Sequence, residues 1–80
     1  MLKKKSMNDR IDIVDHLINH NCKIISDRSE KHSVFVNTLD ISLKSALLKQ
    51  DQLSDKYVIN VCKCLCIPVP VMVDIRNPNF

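Results

Sequence analysis

The chain has 80 residues, a formal charge of +3 and no glycine. Its length allows one small domain that buries a modest share of its surface, so a core shared with a second copy is expected. The missing glycine excludes phosphate-cradling loops and dinucleotide fingerprints, and it weighs against tight β-hairpins, whose favoured turns need positive φ.

The charge is concentrated at one end. Lys3, Lys4, Lys5 and Arg10 face only Asp9 within the first ten residues, and the remaining basic and acidic side chains balance. Residues 1–7 therefore read as a basic disordered tail. Lys3, Lys4 and Lys5 are its candidate nucleic-acid contacts, suited to weak, salt-sensitive phosphate binding and too few to read a sequence. No apolar run reaches the roughly 18–20 residues of a membrane span, and no apolar segment follows the lysines as a secretory leader would require. A cytoplasmic protein with reduced cysteines is expected.

In chain order, Asn8 or Asp9 is placed to cap a first helix running to about residue 21, with Ile11, Ile13, Val14, Leu17 and Ile18 as its apolar stripe. Ser26 and the Asp27/Glu30 pair have the spacing of helix caps, so a second helix is predicted from there. Val36, Leu39, Leu43 and Ala46 step by three, four and three, the seam of a helix packed lengthwise on another. A polar turn, Lys49–Gln52, leads to Ser54. With Ser54 as N-cap, Asp55 in the first turn and Leu53 stapled to Val58, a third helix follows. It must end before Pro68, which disfavours helical backbone at Ile67. A rival strand reading of residues 57–66, favoured by its β-branched residues, would set Cys62, Cys64 and Cys66 on one face. The helix is preferred on the Ser54 cap. The proline-rich remainder, 67–80, reads as an extended arm whose valines can lie back on the body.

Three constellations bear on chemistry. Cys62, Cys64 and Cys66, with Cys22, supply enough sulfur for a zinc site, and His16 and His20 share a helix face at i,i+4. The cysteine spacing is not that of a zinc knuckle, so buried thiols are the preferred reading and neither a metal site nor a cofactor is expected. No order of Ser, Cys, His and Asp singles out a nucleophile with its base, and no catalytic residues are assigned. The helical seam is the third, serving both the hairpin and a twofold-related copy. Its interface residues are Phe35, Val36, Leu39, Leu43, Ala46, Leu47, Val58, Val61 and Leu65.

Leu39, Leu43, Ala46-Leu47, Leu53-Ser54, Lys56, Val58-Ile59 and Leu65 follow a pattern that resembles the small AriR/YmgB-type family of biofilm-development and two-component-system connector proteins. The likeness runs from Leu39 to Cys66, most of it in QLSDKYVINVCKCL, and more loosely over IDIVDHLINH. The arm with its prolines and the CKCLC cluster depart from the family.

The resemblance implies an all-α, three-helix, dimeric cytosolic regulator without enzymatic activity, linked to biofilm formation, acid and stress response and phosphorelay signalling. Its implied partners are a second copy and a sensor kinase or phosphorelay protein, with nucleoid-type DNA binding as the alternative and a thiol-based metal or redox sensor as a weaker one. The helical domain is expected over residues 8–66.

Overall fold

The computed structural model describes residues 7–73. Two helices and five strands follow in the order β1 (Met7–Asp9), α1 (Arg10–Asn19), β2 (Cys22–Ser26), β3 (His32–Asn37), β4 (Asp40–Leu48), β5 (Gln52–Ser54) and α2 (Asp55–Leu65). Antiparallel β2-β3-β4 form one sheet and antiparallel β1-β5 a second, two-stranded one.

This mixed α/β architecture corrects the all-α expectation. The predicted second helix is a β-hairpin, β3 and β4. Its odd-numbered positions alternate to one face: Ser33, Phe35 and Asn37 on β3 are buried, Leu47 on β4 is buried, and Leu43 and Ser45 are half-buried. The three-four-three series Val36, Leu39, Leu43, Ala46 coexists with this period of two, and tertiary burial selects the strand, because only alternation puts Phe35 and Leu47 under the helices together. Leu39, a member of the supposed seam, is 77% exposed at the hairpin turn.

The hairpin also shows how a glycine-free chain turns. Asn37 pairs with Asp40 across the two-residue turn of Thr38 and Leu39, neither of which has positive φ. One step back along β3, Val36 pairs with Lys44, so β4 bulges between residues 40 and 44. Such an irregularity lets the strands recover their twist without a mirror-image turn. Only Asn21 and Cys66 among the described residues are left-handed. Asn21 turns α1 into β2, a role asparagine takes with little strain.

Both helices begin where a short strand ends. Ser54 caps α2 as expected, its hydroxyl accepting from the Tyr57 amide at 3.2 Å. Asp9 is the N-cap of α1 by backbone, but its carboxylate accepts from the Gln52 side chain instead of a helix amide. At the far end of α2, Cys66 (φ 54°) lets the Ile67 amide donate back to the Cys62 carbonyl at 3.0 Å. Glycine normally fills this position because a Cβ there crowds the following carbonyl. Cys66→Gly should raise stability by about 0.5–1 kcal/mol, the relief of strain exceeding the added freedom of the unfolded chain. A urea denaturation midpoint measures this, and a fall in midpoint would contradict it.

The core joins Ile13 and Leu17 of α1, Cys22 of β2, Phe35 and Leu47 of the hairpin, Leu53 of β5, and Val58, Val61, Cys62 and Leu65 of α2. The predicted arm begins by closing this core: Val73 is buried, and Ile67 and Val69 pack against it. Val71 and Met72 remain exposed. The helices thus cover one face of the sheet. On the other, Val36 is only 3% exposed, lying between its cross-strand neighbours Lys23 and Lys44.

No helix among the described residues is long and apolar enough to cross a membrane.

Candidate functional site

The densest polar cluster gathers where α1 and the β2-β3 loop meet the end of β4. The buried Ser33 hydroxyl donates to Asp27 Oδ1 at 2.6 Å and accepts from Arg10 Nη2 at 3.0 Å. Arg10 Nε donates to the Leu48 carbonyl at 2.8 Å. Lys49 Nζ meets Asp27 Oδ1 at 2.9 Å and donates to the carbonyls of Asp27 (3.2 Å) and Ser29 (2.7 Å).

These contacts occupy the three protons of the Lys49 ammonium, and both the hydrogen and a lone pair of Ser33. With Ser33 1% exposed, the cluster is a clasp that holds the loop against the sheet. Nucleophilic chemistry needs an accessible hydroxyl facing a base, and this buried one faces a carboxylate paired with Lys49.

The clasp has a pH signature. The Ser33 hydrogen bond, then the Lys49 ammonium, holds the Asp27 carboxyl below its ordinary range. A depressed folded value gives stability that is present above about pH 4, the unfolded value, and lost as pH falls through the folded one. Asp27→Asn should therefore flatten the acid limb of a stability-versus-pH curve while leaving its alkaline limb unchanged, and an unaltered acid limb would refute the clasp.

The cysteines divide into two pairs. Cys22 and Cys62 are buried, as expected, but Cys64 and Cys66 are exposed, which corrects the buried-thiol reading for those two; all four are free thiols. The helix carries Cys62 inward and Cys64 outward, so the cluster of three in sequence is dispersed in space. Burial, reinforced by Cys22, pushes the Cys62 thiol up to about 11, and burial also raises Cys22. Because the thiolate is the reactive form, Cys64 and Cys66 should label rapidly with a disulfide reagent at pH 8 and Cys22 and Cys62 only on unfolding. A raised folded value also means that this contribution is full below about pH 8.5 and lost as pH climbs toward 11. Cys62→Ala should remove that alkaline loss, and rapid labelling of four thiols in the native protein would overturn the assignment.

The predicted interface residues scatter. Phe35, Leu47, Val58, Val61 and Leu65 lie within this chain's own core, and Val36 is buried on the opposite sheet face. Leu43 is half-buried, whereas Leu39 and Ala46 are exposed. Lys3, Lys4 and Lys5 lie outside the described residues. Among the described residues, no three or more His, Cys, Asp or Glu side chains form a metal-holding group. His16 and His20 do come together, their ring centroids 4.2 Å apart.

The two edges of the three-stranded sheet are treated differently. On β4, the Tyr57 hydroxyl accepts from the Leu48 amide and donates to the Ala46 carbonyl, each at 3.1 Å, while Arg10 takes the Leu48 carbonyl. Residues of one parity on β4 thus face outward. The alternation of antiparallel ladders then turns the backbone groups of Cys22 and Ile24 to the outer edge of β2. No described residue bonds to that edge. Ile24 and Ile25 lie along it at 43% and 47% exposure, and Ile18 of the adjoining helix α1 is also exposed. The helical prediction concealed this feature, although Cys22-Lys23-Ile24 alternates as an edge strand does.

Comparison with protein-family models, with curated proteins and with solved structures finds no match to this chain.

Proposed function

We propose that this chain acts by binding and not by catalysis, as a homodimer joined edge to edge through β2. The open β2 edge carries the reading: it combines exposed Ile24 and Ile25 with backbone groups that no described residue pairs, whereas the β4 edge is capped at Ala46 and Leu48 by Tyr57 and Arg10. An unpaired apolar edge is a template for strand addition. A second copy fits because antiparallel pairing of β2 about Ile24 sets outward-facing residues opposite one another. The pairing is centred on Ile24, because the bulge between Ile24 and Ser26 turns Ser26 back to Val34 of β3, and it makes one continuous six-stranded sheet.

The dimer is the scaffold for the regulatory role that the sequence resemblance implies, modulation of two-component or phosphorelay signalling. That likeness now rests on the pattern of residues 39–66, of which α2 is the part that forms a helix. A sensor kinase or phosphorelay protein is the partner class to test.

Sedimentation of the intact chain over a micromolar range should give a reversible dimer. Ile24→Lys should shift it to monomer without loss of helix or strand signal by circular dichroism, since charge on an edge strand opposes pairing. A strict monomer, or a dimer indifferent to Ile24→Lys, would sink the edge model. The wild-type dimer and the Ile24→Lys monomer, used as bait against purified sensor-kinase receiver and phosphotransfer domains, then separate dimerisation from partner binding.

A further inference from the structure

We propose that His16 and His20 form an open two-histidine site for a divalent transition-metal ion, using His16 Nδ1 and His20 Nε2. The two residues are one helical turn apart, which brings side chains to the same face. His16 lies in the last turns of α1 and His20 is its C-cap, so the backbone fixes both anchors.

The hydrogen bonds decide which nitrogens are free. His16 Nε2 lies 2.6 Å from the Pro68 carbonyl oxygen, and His20 Nδ1 lies 2.9 Å from the carbonyl of His16. A carbonyl only accepts, so each of these nitrogens carries the proton. The neutral ring then presents its lone pair on the opposite nitrogen, Nδ1 of His16 and Nε2 of His20. This is the arrangement around metal-ligating histidines generally: one nitrogen donates to a carbonyl, which fixes tautomer and ring orientation and raises the basicity of the other.

Distances are compatible. With metal–nitrogen bonds of about 2.0–2.1 Å, two imidazoles on one ion at 90–110° have centroids about 4.5–5 Å apart. The rings stand at 4.2 Å with their planes tilted by 39°. An opening of under about 1 Å therefore suffices.

Two ligands leave the remaining positions to water, in keeping with the absence of a third ligating side chain among the described residues. Imidazole pairs suit the later first-row ions, cobalt(II) through zinc(II). The bound ion would also reinforce the attachment of the arm, because His16 keeps its bond to Pro68 while ligated.

Cobalt(II) is the probe of choice because thiolate ligation announces itself by an intense charge-transfer band that imidazole lacks. Calorimetric titration of the intact, phosphine-reduced protein should give one site per chain, with no thiolate band and a rise in melting temperature. His16→Gln and His20→Gln should each weaken binding at least tenfold, and the double variant should lose the melting shift. His32→Gln and the Cys64→Ser/Cys66→Ser pair should leave affinity unchanged. His16→Gln keeps a donor for Pro68, and circular dichroism verifies that each variant is folded. No binding at millimolar cobalt(II), a thiolate band, or affinity that survives both histidine variants would overturn the assignment.

Discussion

Phe35→Ala should destabilise the domain by about 3–5 kcal/mol, the range for truncating a fully buried phenylalanine. Phe35 is fully buried, in a core built by both helices, the hairpin and β5. A chain of this size has roughly 4–12 kcal/mol of total stability, so the variant should lose about a quarter of it or more. Phe35→Leu keeps most of the volume and should cost under about 1.5 kcal/mol. Urea denaturation of the three proteins separates a core role from an interface role. A core residue lowers the midpoint whatever the protein concentration, whereas an interface residue acts through a concentration-dependent term. A loss below 1 kcal/mol, on the order of a surface change, would contradict the packing described here.

Asn8→Ala should be nearly as damaging, at about 2–3 kcal/mol, though it removes a small polar side chain. Asp55 is 2% exposed and takes a hydrogen bond from Asn8 Nδ2 at 2.7 Å, and the same amide lies 3.2 Å from the Leu53 carbonyl. Asn8 also sits opposite Leu53 in the β1-β5 ladder, so one side chain joins the start of the chain to the start of α2. Truncation leaves a buried carboxylate with only the helix N-terminus to stabilise it. The diagnostic is a double-mutant cycle. Asp55→Asn alone and Asn8→Ala alone should each destabilise, and the pair together by less than their sum, with a coupling on the order of 1–3 kcal/mol. Additive losses would mean that the two side chains do not act together.

Both experiments bear on parts that local reasoning reached unequally. The α2 segment was legible because its signals are local and agree: Ser54 as cap, Asp55 in the first turn, an apolar face at helical spacing and a proline beyond its end. Helix α1 was legible for similar reasons, though Asp9 spends its side chain on Gln52 instead of on the helix. The segment from Ser26 to Leu48 has a helical pattern in sequence and folds as strands because its apolar residues satisfy two periods. Val36, Leu39, Leu43 and Ala46 fit a helix, while Ser33, Phe35, Leu43 and Leu47 fit strands on one face. Serine and asparagine at inward positions obscured the alternation, and their burial is explained only by partners remote in sequence, Arg10 and Asp27 for Ser33 and the Leu65 carbonyl for Asn37.

The candidate sites divide along the same line. The i,i+4 pairing of His16 and His20 is a property of helix spacing and could be read directly. Their tautomers could not, because one depends on Pro68, far along the chain. The open β2 edge has no local signature in the sequence, since an edge exists only once a sheet does.

What the amino-acid sequence determined by itself is therefore the two helices, the stop before Pro68 and the exclusion of glycine-dependent phosphate sites. Each follows from interactions within a few residues, whose energies do not depend on the rest of the fold. The tertiary structure alone decided that His32–Asn37 and Asp40–Leu48 are paired strands, that the β4 edge is capped at Ala46 and Leu48 while no described residue covers the β2 edge, and which imidazole nitrogens carry their protons. Those outcomes turn on burial and on hydrogen bonds between distant segments, and for a stretch whose pattern suits two periods such contacts outweigh local preference.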